Sequence, residues 1–395
     1  MGPLAGIRVL DISQVMAGPY CCMLLGDMGA DVIKIEPPGV GDSARKSMGF
    51  RLKGDDSPGF LALNRNKRSI ALDLKSDEGR EIMYALVRTA DVIVENGRPG
   101  VARRLAMDYA TIKAINPKII YTSISGFGQS GPWALRPGFD LMAQAMSGVI
   151  SATGLPGADP VKSGVPIGDL GSALFAAYGI LSALIGRART GEGAFVDASL
   201  FEAALGLSIW ETTEYWGTGK SPRPIGTVNR MSAPYQAVKA SDGYFVIGAA
   251  NQKLWLAFLE VAGLKHLADD SRFLDNTSRL TNHAALMAEL NSTFLTRTVE
   301  EWVGLLLDAG VPAGPILDYE QALNSDHAAA RDMTQDIAHP VEGAFKALGF
   351  PVKVTDGGGA AQSVRYPPPL LDEHRQEIVE ELQQSGHLPP ATANG

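Results

Sequence analysis

Through the first two hundred residues, short runs rich in Val and Ile alternate with segments of helical length, and this alternation leaves few folds open to the chain. Ile7-Arg-Val-Leu-Asp-Ile12 is followed by the loop Ser13-Gln-Val-Met-Ala-Gly-Pro19, a helical stretch to Gly29 and a second apolar run, Asp31-Val-Ile-Lys-Ile-Glu36. Ser76 is placed to cap a helix over Asp77 to Thr89, whose Ile82, Met83, Leu86 and Val87 share one face. A buried strand over Asp91 to Asn96, a helix near Tyr109 to Ile115 and a strand over Lys118 to Ile124 continue the pattern. Strand and helix in strict succession predict parallel strands joined by right-handed crossovers, an α/β doubly wound sheet whose strand ends collect ligands.

The first loop decides against a dinucleotide. A NAD site needs G-x-G-x-x-G there so that backbone can approach a pyrophosphate; the chain offers Ala17-Gly18-Pro19, although Glu36 stands where the ribose acid would. At 395 residues the chain exceeds one ordinary core, so two domains are expected. A net charge of -8, with no basic run interleaved with aromatics, argues against nucleic acid. Cys21 and Cys22 are adjacent and poorly placed to bridge, which points to a reducing compartment; with no signal-like start the expected location is cytoplasmic. Leu170 to Gly186 carries no charge over seventeen residues, but it falls short of a bilayer span and holds several Gly and Ser residues. It reads as a buried helix, with no membrane contact.

Residues 1–223 form the expected large domain, ending in the linker Ser221-Pro-Arg-Pro-Ile-Gly226. Residues 224–315 read as a small α+β domain: a hairpin turning at Ser241-Asp-Gly243, then helices near 254–262, 284–295 and 299–308, the last opened by a Thr298/Glu301 capping box. Residues 316–395 return, through a hairpin around Gly343 and Gly349 and the Pro367–Leu371 segment, into a helix from Asp372 and a loose tail after Gly386.

Chemistry concentrates in two places. Cations cluster near strand ends: Asn64-Arg-Asn-Lys-Arg68, Lys75, Arg98, Arg103 and Arg104, which in an acidic protein suggests a phosphate site. The second place is Gly164-Val-Pro-Ile-Gly-Asp-Leu-Gly-Ser172, where Asp169 stands at the entrance of the long apolar helix. Asp is a favoured N-cap, and the same helix end would lower its pKa and hold it ionised as a nucleophile. The two readings are compatible.

Several stretches together resemble the family III CoA-transferases, the group related to formyl-CoA:oxalate and carnitine CoA-transferases. They are Leu4-x-Gly6-Ile-x-Val-Leu-Asp11, Ala17-Gly-Pro19, Leu25-Gly26-x-x-Gly29 through Glu36, Gly41-Asp42-x-x-Arg45, Asn64-x-Asn66-Lys-Arg-Ser69, Asp91-Val-x-Val-Glu-Asn96, Gly126-Phe-Gly128, Gly168-Asp169, Thr190-Gly191-x-Gly193 and Pro367 to Leu371. The resemblance implies a Rossmann-like large domain built from both chain ends, a small domain from the middle, and an interlocked homodimer. It also implies that Asp169 is the nucleophile, acting through an aspartyl anhydride and an aspartyl-CoA thioester, with an acyl-CoA and a small carboxylic acid as substrates. No metal or tightly bound cofactor is implied.

Coenzyme A contacts would then fall on Gln14, Met16 and Ala17, on Leu72 and Lys75, on Asn96, Gly97 and Arg98, on Arg104, and on Arg136 and Phe139. Some relatives carry Gln where Met16 stands and Arg where Pro37 stands, so a polar contact and one adenine-side cation are missing here. Backbone N–H groups from Gly168 to Gly171 would stabilise oxyanions. The Gly248-Ala-Ala-Asn251 loop would cover the anhydride, and Arg45, Lys46 or Arg230 would meet a second carboxylate of a dicarboxylic acceptor. Two other functions compete with this one. The related α-methylacyl-CoA racemases carry a His before the Asp of the Arg136 to Asp140 segment, where this chain has Phe139, so the second base is missing. A non-catalytic CoA-binding protein would not need Asp169.

Overall fold

The computed structural model describes residues 2–46, 49–356, 359–360 and 362–390. Six parallel strands form the central sheet: β1 (Arg8–Asp11), β2 (Asp31–Glu36), β3 (Lys67–Ala71), β4 (Val92–Glu95), β5 (Ile120–Ser125) and β6 (Ala194–Ser199), in the order β3-β2-β1-β4-β5-β6. Val9 pairs with Val32 on one side and Val92 on the other, and Leu10 with Ile33 and Ile93. Because side chains alternate across a strand, these two rows feed different cores. Val9, Val32, Val92 and Val94 pack beneath the Ala17–Asp27 and Ile167–Thr190 helices. Leu10, Ile33 and Ile93 meet the Asp77–Thr89 helix and, from the other end of the chain, Ile378 and Leu382 of the Arg375–Gln384 helix. Arg68 binds Asp31, Glu377 and Glu381 and ties that last helix to the sheet edge.

The chain divides into two compact units. One contains residues 1–153, 160–222 and 329–395, and so takes in both chain ends; the other contains 154–159 and 223–328. The sequence placed the return at 316. In the structure it comes at 329, inside the short Asp326–Ala330 helix that follows the Tyr319–Leu323 helix. The second unit is a three-stranded antiparallel sheet, β7 (Tyr235–Lys239), β8 (Tyr244–Gly248) and β9 (Ala313–Pro315), packed on the Gln252–Ala262, His283–Phe294 and Val299–Asp308 helices. Trp255, Phe258, Phe245, Phe294 and Trp302 fill its core, and the Thr298/Glu301 capping box is formed. A hairpin of β10 (Thr334–His339) and β11 (Gly343–Leu348) follows.

Two expectations change. The last helix begins at Arg375 rather than at Asp372, because Asp372 takes a left-handed φ of 64° and spends its carboxylate on the Ala71 amide and on Arg375. The Ile167–Thr190 helix is also not buried all round. Ala173, Ala176 and Ile180 face the core, whereas Leu174, Phe175, Tyr178 and Ile185 stand exposed, Tyr178 at 71%. It is long and apolar enough to cross a membrane by length and composition. Trp210 and Trp216, both exposed, lie on the Ile209–Thr218 helix, which follows after β6 and the Leu200–Leu207 helix.

Candidate active site

A doubly wound sheet opens a crevice where the strand order reverses, here between β1 and β4, beyond their carboxyl ends. A cavity of about 540 Å³ lies there, within the range that takes a sizeable organic ligand. Its walls are the loops that leave the strands: Gln14 to Ala17 after β1, Glu36 to Pro38 after β2, Leu72 to Lys75 after β3, Glu95 to Gly97 from β4, and Ser125 and Gly126 from β5, closed by Gly138, Phe139 and Asp169. Gly126 and Gly138 cross so closely that a Cβ on either would sit 2.9 Å from the other's Cα, so only glycine fits at this wall.

Asp169 is placed differently from the sequence expectation. It is not the cap of its helix. The helix begins at Ile167 after Pro166, and Asp169 is the third residue of the first turn. The capping acceptor is Asp140, 28 residues before Gly168, whose Oδ1 accepts from the Gly168 N–H at 2.8 Å and the Asp169 N–H at 3.3 Å. Asp140 is in turn fixed by Gln144, whose amide donates to Oδ2 at 2.6 Å. Gly168 admits this approach: a Cβ there would lie 3.0 Å from Asp140 Oδ1.

Relieved of capping, the Asp169 carboxylate accepts no hydrogen bond among the described residues and lines the cavity. Its pKa is pushed up to about 6, first by burial and then by the negative charge of Asp140. The carboxyl expected below its usual range is raised instead, by burial first and by the neighbouring carboxylate second. The oxyanion donors expected at Gly168 to Gly171 are also engaged. Asp140 holds the first two amides, and Leu170 donates to the Pro166 carbonyl at 3.0 Å.

Among the residues expected to contact the ligand, Gln14, Met16, Ala17, Leu72, Lys75, Asn96, Gly97 and Phe139 line the cavity together with Asp169. Arg98, Arg104 and Arg136 do not. Arg98 follows Gly97 directly and is exposed, as is Arg104, on the Val101–Arg104 helix whose Val101 and Ala102 do line the cavity. Arg136 is exposed, its guanidinium 5.2 Å from the Trp133 ring. Asn96 turns its side chain onto the β1 loop: Oδ1 accepts from Gln14 N at 2.8 Å and Nδ2 donates to Gln14 O at 2.7 Å.

The cations of Asn64 to Arg68 face inward, against expectation. Arg65 pairs with Asp27 at 2.6 Å, Lys67 with Asp11 at 2.8 Å, and both are buried. Arg45, considered for a second carboxylate, binds Glu36 and Asp56 at 2.7 Å each and stacks on Phe60. In each case an unpaired charge would be costly in the interior, and the partner lies away in sequence. Two residues of the site carried no signal on their own: Asp140, and Glu95, a buried wall residue whose carboxyl is raised by burial while Ser123 Oγ and the Gly97 N–H donate to it. No histidine lines the cavity among the described residues.

A family model described as CoA-transferase family III matches residues 4–375. The acetyl-CoA:oxalate CoA-transferase of Acetobacter aceti is 40% identical over 96% of this chain and 96% of its own. The succinyl-CoA:glutarate CoA-transferase of Mus musculus is 37% identical over 97% of this chain and 87% of its own. In three dimensions a CAIB/BAIF family protein from Brucella suis superposes with a TM-score of 0.83 at 38% identity, covering 96% of this chain and 99% of that one. A match across nearly the whole chain, with a carboxylate exposed to a cavity at the sheet's switch point, assigns this protein to CoA-transferase family III.

Proposed function

We propose that the enzyme carries CoA from an acyl-CoA donor to a carboxylic acid through covalent intermediates on Asp169, with the CoA portion seated in the cavity at the strand ends. The observation that carries this reading is an Asp169 carboxylate without a donor of its own among the described residues, facing a cavity walled by five strand-end loops. With a pKa of about 6 it is roughly nine-tenths ionised at pH 7, and it is more basic than an ordinary aspartate. Higher basicity favours attack on a carbonyl, so the burial that disfavours the charge also sharpens the nucleophile.

An Asp169 oxygen attacks the thioester carbonyl, the C–S bond breaks, and an aspartyl mixed anhydride and CoA thiolate result. The thiolate attacks the Asp169 carbonyl, releasing the donor acid and leaving an aspartyl-CoA thioester. The acceptor carboxylate displaces the thiolate to form a second anhydride, and the thiolate takes the acceptor's acyl group, restoring Asp169. No proton is transferred, which suits a cavity whose walls carry no histidine among the described residues. Lys75 lines the cavity, and the exposed Arg98 and Arg104 follow closely in sequence on its wall residues Gly97 and Ala102, which supports phosphate contacts from these three cations. The two named relatives act on oxalate and glutarate, which makes a dicarboxylic acid the favoured acceptor.

Mass spectrometry of the purified enzyme with paired CoA donors and acceptor acids tests this. CoA is expected on the acceptor in amounts equal to the donor acid released; hydrolysis alone contradicts the reading. In deuterated water a 2-methylacyl-CoA should keep its α-hydrogen, since Phe139 offers no base; rapid exchange would favour racemisation instead.

A homodimer with interlocked chains is part of the proposal; the exposed apolar face of the Ile167–Thr190 helix, together with the exposed Trp210 and Trp216, supports the association of two copies. Light scattering should give the mass of two chains. Tyr178→Arg, on that face, should lower the mass or bring aggregation; a soluble monomer from the unsubstituted chain would contradict the assignment. The two cysteines are free and buried, which supports a reducing, cytoplasmic location.

A further inference from the structure

The β1 loop that lines the cavity contains a backbone conformation its sequence does not favour. Val15 has a φ of 70°, in the left-handed region that a β-branched residue seldom enters. Such a residue stays there only when its surroundings over-determine it. Here they do. The Val15 N–H is held by both oxygens of Asp42, at 3.0 and 3.3 Å, and Asn96 grips the Gln14 peptide on either side. Ser13 N donates to Asp11 Oδ1 at 3.0 Å, and the Ser13 carbonyl accepts from Lys34 Nζ at 3.0 Å.

Asp42 reaches the loop from 27 residues away, and it is fully buried. Lys34 Nζ, equally buried, pairs with it at 3.0 Å, and the Asp42 amide donates to Glu36 at 2.9 Å. Asp11, Lys67, Glu36 and Arg45 extend the network, so three carboxylates and three cations balance in the interior. A buried ion pair is an expensive way to gain stability, and an apolar pair of similar shape does as well. An acceptor that pulls one strained N–H away from its preferred conformation is something an apolar pair cannot supply.

We propose that Asp42, backed by Lys34, is a positioning residue that holds Val15 in its left-handed conformation and so aims the Gln14 to Met16 backbone into the acyl-CoA cavity. This rests on the cavity being the acyl-CoA site. Asp42→Asn keeps the shape and weakens the grip on Val15 N–H. The loop should relax, and KM for acyl-CoA should rise about tenfold or more while kcat changes by less than about threefold, because Asp169 sits on another element. Glycine enters the left-handed region freely, so in a Val15→Gly background the loop no longer depends on Asp42.

The test is a double-mutant cycle in steady-state kinetics, with Asp42→Asn introduced once beside the native Val15 and once beside the Val15→Gly substitution. A KM ratio of about tenfold or more in the first background, falling to about threefold or less in the second, is the expected result. The same ratio in both backgrounds, or no effect of Asp42→Asn on KM, overturns the assignment. Should Asp42→Asn fail to fold, Lys34→Met with Asp42→Asn removes both buried charges, and the same comparison is read from it. Val101→Trp fills the cavity without touching this network. Unchanged CoA affinity in that variant overturns the site itself, whereas weakened affinity beside a background-independent Asp42 effect overturns the positioning role alone.

Discussion

Asp169→Asn is expected to lower turnover by roughly a thousandfold or more while leaving CoA binding within about threefold, because it removes the group that forms bonds and leaves the strand-end loops in place. The same variant should also be more stable. A carboxyl whose folded pKa of about 6 exceeds the ordinary 3.8 prefers to be neutral when folded. Its ionisation therefore costs stability, a penalty absent at pH below about 4 and complete above about 6. Two pK units correspond to about 3 kcal/mol, and partial contact with solvent reduces this to about 1–2 kcal/mol. Thermal unfolding at pH 7.5 should show the asparagine variant melting higher, and the advantage should vanish at pH 4. A variant equal in stability at both pH values would contradict the raised pKa.

The pH dependence of the unsubstituted enzyme follows from the same group. kcat/KM should fall below pH 6 with a slope of one as Asp169 takes up a proton. Asp140→Asn separates the two causes. The substituted side chain still offers an amide oxygen to the Gly168 and Asp169 N–H groups, so the helix keeps its cap, but the negative neighbour is gone. The acidic limb should move to lower pH while stopping short of the ordinary aspartate value, because burial, the larger cause, remains. At pH 5 the variant should outperform its parent relative to the rate each reaches at pH 7.5. An unmoved limb would show that Asp140 acts only through the helix cap.

The sheet was legible because its signal is local and repeated. Val9, Val32 and Val92 announce buried strands, and Ser76 caps its helix as the sequence predicts, accepting from Gly79 N at 3.0 Å. The loops that would bear ligand contacts were legible through the family resemblance, and most of them meet at one cavity. What escaped was pairing at a distance. Asp169 looked like a cap because it stands where caps stand; the true acceptor, Asp140, belongs to another helix. Arg65, Lys67 and Arg45 looked like ligand cations because linear sequence does not display Asp27, Asp11 or Glu36 beside them. Val15 carried no signal at all, since its conformation is imposed by a carboxylate 27 residues away.

In the proposed cycle Asp169 becomes covalently attached to CoA. Hydroxylamine intercepts an aspartyl-CoA thioester, breaking its C–S bond and leaving a hydroxamate on the side chain and free CoA. The measurement is peptide mass spectrometry after incubation with an acyl-CoA donor and hydroxylamine, in the absence of acceptor. The hydroxamate is expected on Asp169, with loss of activity in proportion to labelling and no label on Asp140 or Glu95. An enzyme that turns over donor and acceptor yet remains unlabelled at Asp169 would contradict the account.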